Sequence, residues 1–122
     1  MKDSRFVKGR MKSMVYAFNG AYKLVTTEHS VMVQFLIAVG VTIAGFFFDL
    51  TANEWMFQTL AIGLVLGIEG LNTAIEKICD FIHPDYHERI GFIKDIAAGA
   101  VFLAALSALA IGIIIYYPKF FC

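Results

Sequence analysis

Charge is scarce in this chain of 122 residues: only 16% are Asp, Glu, Lys or Arg, against 59% hydrophobic residues. A typical soluble domain carries about 25% charged and 45–50% apolar residues. A small domain needs polar residues to cover its large surface. A water-soluble enzyme is therefore nearly excluded, and a disordered tail is excluded outright. Net charge is also missing, at formal zero. Bulk charge thus argues neither for nor against nucleic acid, and no nucleic-acid partner is expected. Cysteine is limited to Cys79 and Cys122. Their spacing fits no metal motif, and both read as inert thiols. Repeats and low-complexity segments are absent.

The missing charges are missing in blocks. Residues 31–48, 55–68 and 96–118 hold none. A membrane-spanning helix needs about 20 mostly apolar residues. The first and third blocks qualify at once. The second qualifies only if its helix runs on to about Cys79, through Glu69, Asn72, Glu76 and Lys77. The expected architecture is all-α: one membrane-embedded domain over 1–122, with spans over about 31–49, 54–80 and 93–117. Trp55, Tyr116 and Tyr117 fall at the outer boundary and read as interface anchors.

The bases that remain are unevenly placed. Lys2, Arg5, Lys8, Arg10, Lys12 and Lys23 precede the first span, and the loop from Asp49 to Glu54 has none. Lys77, Arg89 and Lys94 come between spans two and three. Basic residues collect on the cytoplasmic side. The N-terminus and second loop are expected inside, and the first loop and C-terminus outside. The two cysteines then lie on opposite faces and do not pair. No cleaved signal peptide is expected, because a long polar and aromatic stretch precedes the first span.

Residues from about 5 to 27 form no span. On a helix, Val7, Met11, Met14, Val15, Phe18, Tyr22 and Val25 share a face opposite Lys8, Lys12, Asn19 and Lys23. That is the pattern of a helix lying in the headgroup plane. Two small-residue rows mark expected helix contacts: Gly63 with Gly67, and Ala100, Ala104, Ala108 and Gly112. Pro84 breaks the helix between spans two and three. It also spoils His83 and His87 as a metal pair, so a loop position is expected for both.

The chemistry is carried by Glu69, Asn72, Glu76 and Asp80. At about 100° per residue they lie within an arc of roughly 80°, and they rise about 16 Å from mid-depth toward the cytoplasmic surface. Ionisable groups inside a span are costly and usually functional. Three acids on one face need a cation among them, and carboxylate oxygens suit Mg²⁺ or Mn²⁺. Glu28, just before the first span, can complete such a site. The third span's helix is expected to begin near Lys94 and Asp95, presenting a positive helix end to phosphate. Together these suggest a Mg-nucleotide. No P-loop, Rossmann glycine pattern or protein-kinase catalytic loop is present. A carboxylate held away from water, as Glu69 would be, is suited to general-base work. Phosphoryl transfer from ATP to a lipid hydroxyl fits this arrangement. A small proton-coupled transporter using Glu69 is the alternative, and a membrane interaction subunit without chemistry is a third class.

At these residues the sequence resembles the prokaryotic diacylglycerol kinase family, which includes the undecaprenol kinases. Glu69 to Glu76 with Asp80 matches the pattern E-x-x-N-[ST]-A-I-E-x-x-x-D. Residues 94–101 match a second block, and Tyr16 to Gly20 with Glu28 match the N-terminal portion. The resemblance implies a homotrimer of three-span subunits with composite active sites in the bacterial inner membrane. It implies Glu69 as catalytic base, Asn72 positioning the reacting groups, and Glu28 with Glu76 binding Mg²⁺. It implies a nucleotide site from Arg10, Tyr16, Glu28, Glu76, Asp80, Asp85, Tyr86, His87, Lys94 and Asp95, with Ser13 and Glu69 toward the lipid. Two departures stand out. Gly9 occupies a usual arginine position, leaving Arg10 or Arg5 to reach phosphate or lipid. His29-Ser30 replaces the Arg-Asn of many undecaprenol kinases. The expected lipid is undecaprenol or diacylglycerol, giving undecaprenyl phosphate or phosphatidic acid.

Overall fold

Four helices account for the chain in the computed structural model, which describes residues 2–121: α1 Lys2–Thr27, α2 His29–Phe47, α3 Ala52–Ile82 and α4 Glu88–Phe121. Cys122, expected on the outer face, lies outside the described residues. Among the described residues there is no strand. Three helices, α2, α3 and α4, are long and apolar enough to cross a membrane. At 1.5 Å per residue, α3 and α4 are about 46 and 51 Å long, well beyond the roughly 30 Å hydrocarbon layer. Their ends therefore have length to spare for a site at the membrane surface.

Local chemistry sets the breaks. Glu28 is extended, at φ −102° and ψ 115°, and bends the chain from α1 into α2. Although it stands at the N-cap of α2, its carboxylate makes no cap hydrogen bond. Asp49 adopts φ 51° in the short turn after α2. Aspartate tolerates that left-handed region better than most side chains. Thr51 then opens α3 with a capping box: its hydroxyl accepts from the Glu54 N–H, and the Glu54 carboxylate accepts from the Thr51 N–H. At the other end α3 stops at His83, the residue before Pro84, where the helical conformation is disfavoured.

Packing is led by α3 against α4, antiparallel. Glu54–Lys119, Gln58–Tyr116 and Asp80–Lys94 pair along the seam in steady register. Ala97, Ala104 and Ile115 of α4 are buried, with Val101 and Ala108 half-buried between them. This spacing alternates three and four residues, as an α-helical seam requires. It corrects the expected four-residue row: Ala100 is exposed, because a strict four-residue step drifts around the helix. Gly63 and Gly67 are also exposed, and a Cβ on either meets nothing within 4 Å. Their row marks no contact within this chain.

The C-terminal end of α2 and the N-terminal end of α3 close tightly. A Cβ on Gly45 would lie 2.6 Å from the Trp55 ring, so only glycine allows this approach. The Phe46 and Trp55 rings meet at a tilt of 53°, their centroids 4.8 Å apart. Tyr116 is drawn further into the protein than a boundary anchor need be. It is half-buried and donates to the Gln58 side chain at 2.6 Å. Tyr117 remains exposed. The apolar face of α1 is exposed too, including Met14 and Phe18.

Candidate active site

The acidic face of α3 forms the floor of the site. Taking Glu69 as origin, Asp80, Glu76, Thr73 and Asn72 fall at about +20°, −20°, +40° and −60° around the helix. Glu69 is buried at 7% exposure, in the half of α3 nearer the site's open end. Asn72 and Thr73 are buried beside it, and Glu76 and Asp80 emerge to the surface. The face therefore runs from an enclosed carboxylate to open ones over three turns.

Two groups flank this floor at about +80° to +100°. Leu24 of α1 reaches Gly70, where an added Cβ would stand 3.0 Å from its Cδ1. Glu28 pairs with Lys77 at 3.0 Å. The bend between α1 and α2 is thus held to α3 at two points, two turns apart, directly beside the acids. A glycine next to Glu69 lets the bend come this close. On the other side α4 carries Lys94, whose Nζ lies 2.6 Å from Asp80.

Asn72 is the most informative side chain here. Its Nδ2 donates to Glu76 Oε1 at 3.2 Å. Its Oδ1 is the only buried side-chain polar atom without a partner among the described residues. A buried acceptor left unpaired costs about 1–3 kcal/mol. A hydroxyl donor or a hard cation arriving in this groove removes that cost. With the Glu76 carboxylate, the donor set is oxygen only, which suits Mg²⁺ in type. Among the described residues no group of three or more His, Cys, Asp or Glu gathers as a metal cage within one chain. A cation here would take its remaining oxygens from phosphate, water or another copy of the chain.

The remaining expected residues are only partly assembled. Asp85, Tyr86 and His87 form the α3–α4 loop and are exposed. His87 Nδ1 accepts from the Arg89 N–H at 3.1 Å and so caps α4. His83 Nδ1 lies 2.6 Å from the Asp85 carbonyl oxygen, and the two imidazoles meet at 5.2 Å. Both histidines therefore sit at the loop, each with Nδ1 engaged. The Tyr86 ring lies over the first turn of α4, 3.3 Å from where a Gly91 Cβ would stand. The helix begins at Glu88, which corrects the expected start near Lys94 and Asp95. Those two lie nearly two turns inside α4, so they offer side chains rather than free N–H groups. Lys94 and Asp80 remain partly exposed, at 38% and 60%. An ion pair so placed is worth about 0–1 kcal/mol, and a phosphate can displace it readily.

Arg10, Ser13 and Tyr16 are exposed on α1 and are not brought to the groove. Tyr16 lies about 12 Å, and Arg10 about 21 Å, along the helix from Leu24. The Ser13 hydroxyl donates to the Gly9 carbonyl at 3.1 Å.

Sequence reasoning gave no site role to Lys77, Leu24 or Thr73. The Thr73 hydroxyl donates to the Glu69 carbonyl at 3.1 Å. Gly70 beside Glu69 was a usable signal for close approach. Lys77 beside Glu76 signalled only its own charge, and its partner depends on the bend at Glu28.

The site is thus graded from buried Glu69, Asn72 and Thr73 to exposed Glu76 and Asp80, along a helix long and apolar enough to cross a membrane. The family described as prokaryotic diacylglycerol kinase matches residues 15–116. An undecaprenol kinase from Bacillus subtilis is 39% identical over 119 residues, 97% of either chain. A diacylglycerol kinase from Synechocystis is 35% identical over 101 residues, 82% of this chain and 58% of that one. The diacylglycerol kinase of Escherichia coli K12 is 33% identical over 72 residues, 59% of either chain. The chain belongs to the prokaryotic diacylglycerol kinase family and is a membrane lipid kinase.

Proposed function

We propose that this chain transfers the γ-phosphoryl group of ATP to the primary hydroxyl of a membrane lipid, either undecaprenol or diacylglycerol. The observation that carries this reading is the unpaired Oδ1 of buried Asn72 on the same face as buried Glu69. Asn72 Oδ1 accepts from the lipid hydroxyl as it docks, and the O–H then turns to Glu69 for the reaction. Glu69 takes the hydroxyl proton as the lipid oxygen forms its bond to the γ-phosphorus. The bond from that phosphorus to ADP breaks, and ADP leaves toward the surface. Lys94, released from Asp80, faces the phosphates. Glu76, with Glu28 in support, would hold Mg²⁺, and the ion would spread the charge of the phosphates.

Arg10, Ser13 and Tyr16 act on a neighbouring copy in this reading, within a homotrimer of composite sites. Their outlying position on α1 and the open Gly63–Gly67 face of α3 are what support it. The membrane is the bacterial inner membrane, with the N-terminus and the groove facing the cytoplasm.

Orientation tests the reading, because ATP is supplied on one side only. In a background without Cys79 and Cys122, Asn53→Cys reacts with an impermeant thiol reagent added outside intact cells. Glu88→Cys reacts only after the inner face is opened. Labelling of position 88 from outside would place the nucleotide residues where there is no ATP, and the kinase reading would fail.

A further inference from the structure

Between Asp3 and Thr27, α1 is exposed at every position except Leu24 and Val25, which are half-buried. The helix therefore meets the rest of the chain through its last turn. There Leu24 lies over Gly70, which is buried. A Cβ on Gly70 would stand 3.0 Å from Leu24 Cδ1, 3.7 Å from Cδ2 and 4.0 Å from Cγ. The whole branched end of the leucine fills the place of the missing side chain. Gly63 and Gly67 of the same helix have open space in that place. Only at Gly70 does α3 use the absence of a side chain to admit a neighbour within the chain.

What stands at position 70 is passed on to Glu28. The Glu28 N–H donates to the Leu24 carbonyl at 3.3 Å, so the two residues are joined across one turn. That turn is braced from its sides. The Thr26 hydroxyl donates to the Tyr22 carbonyl at 2.7 Å, and the Thr27 hydroxyl to the Lys23 carbonyl at 2.5 Å. A displacement of Leu24 therefore carries Glu28 with it. The ion pair of Glu28 with Lys77 does not fix the bend, because the lysine is largely exposed and such pairs contribute little. Packing of Leu24 on Gly70 is the firmer of the two holds, since close approach at small residues is what lets helices pack in lipid.

The geometry points to Gly70 as a positioning residue for the metal: its missing side chain sets how near α1 lies to α3, and so how near Glu28 comes to Glu76. The inference rests on the reading above in which these two carboxylates serve one Mg²⁺. Carbon atoms in ordinary contact stand about 3.5–4.0 Å apart, so a Cβ at position 70 moves Leu24 by roughly 0.5–1 Å. Mg²⁺ demands nearly ideal octahedral geometry at about 2.0–2.1 Å and absorbs such a shift poorly. A misplacement of about 1 Å costs an active site up to roughly 10²-fold.

The measurement is the Mg²⁺ concentration for half-maximal activity of the purified protein in nanodiscs. Gly70→Ala is expected to raise it by at least about threefold and Gly70→Val by at least about tenfold. Alanine favours helix over glycine, so the thermal stability of Gly70→Ala holds or rises while its Mg²⁺ requirement worsens. A merely structural role would not separate the two. Adding Leu24→Ala to Gly70→Val makes room for the new side chain and is expected to return the requirement to within about threefold of the unaltered protein. An unchanged requirement in both Gly70 variants, or a double variant no better than Gly70→Val, overturns the inference. A second measurement needs no turnover. In a background without Cys79 and Cys122, Glu28→Cys and Lys77→Cys are joined by a short bifunctional thiol reagent, and the link within one chain is read by mass spectrometry. Its rate is expected to fall at least about tenfold with Gly70→Val and to recover with Leu24→Ala. A rate that ignores position 70 overturns the inference, as does a rate that responds while the Mg²⁺ requirement does not. If the rate responds but the unaltered protein phosphorylates no lipid alcohol, the hold of Gly70 on Glu28 stands and the kinase reading falls.

Discussion

Glu69→Gln lowers the turnover number by at least about 10²-fold, with little change in ATP affinity. The substitution keeps size and a capacity for hydrogen bonding but removes the charge and with it proton acceptance. A 10²-fold loss corresponds to about 2.7 kcal/mol of transition-state stabilisation. Glu69 is buried and lies deeper than every other acid of the stripe, so ATP held at the surface end need not sense the change. Turnover and nucleotide binding should therefore separate cleanly. They are measured as ADP release at saturating lipid and as binding of a fluorescent ATP analogue. A variant that keeps most of its turnover removes Glu69 from the role of base.

Glu76→Gln and Glu28→Gln each weaken Mg²⁺-dependent activity by about tenfold or more, and raised Mg²⁺ restores part of it by mass action. The structure adds a control for Glu28. Its carboxylate pairs with Lys77, so losing it also loosens the bend between α1 and α2. Lys77→Met breaks the same pair but leaves the carboxylate in place. The pair's side chains are 67% and 25% exposed, so the bridge itself contributes little. Lys77→Met is then expected to change activity by a few-fold at most, with no shift in Mg²⁺ dependence. If it reproduces Glu28→Gln in both respects, Glu28 is a tether and does not hold the metal. For Glu76, Glu76→Gln also alters the bond from Asn72, and Asn72→Ala separates the two effects. Asn72→Ala keeps the anionic ligand, so raised Mg²⁺ is expected to restore it less than it restores Glu76→Gln.

The spans were legible because their signal is one of composition. Long charge-free blocks can hardly be anything other than membrane helices in a chain with so little charge. The acidic stripe was legible because helical periodicity alone puts Glu69, Asn72, Glu76 and Asp80 on one face. Features that depend on how helices meet were not legible. Glu28 was expected to complete the acids' metal site, and its pairing with Lys77 depends on the bend in the chain. The start of α4 was placed at the edge of the apolar run. The helix begins two turns earlier, through Glu88 and Arg89, because His87 caps it there and nothing in those turns opposes helix. The Ala100 row failed because a four-residue step overshoots a full turn by about 40°, so the row drifts around the helix. Asn72 was singled out by pattern, but its unpaired oxygen is visible only once Glu76 has taken its amide.

The central claim is that phosphate passes from ATP to a lipid hydroxyl in the groove beside Glu69. The most direct measurement uses purified protein in lipid nanodiscs with γ-labelled ATP, with and without an added lipid alcohol. The label is expected to appear in the lipid fraction, one for each ADP released, only when Mg²⁺ is present, and to vanish with Glu69→Gln. ADP release that ignores the lipid, or a lipid fraction that stays unlabelled with both undecaprenol and diacylglycerol, would contradict it.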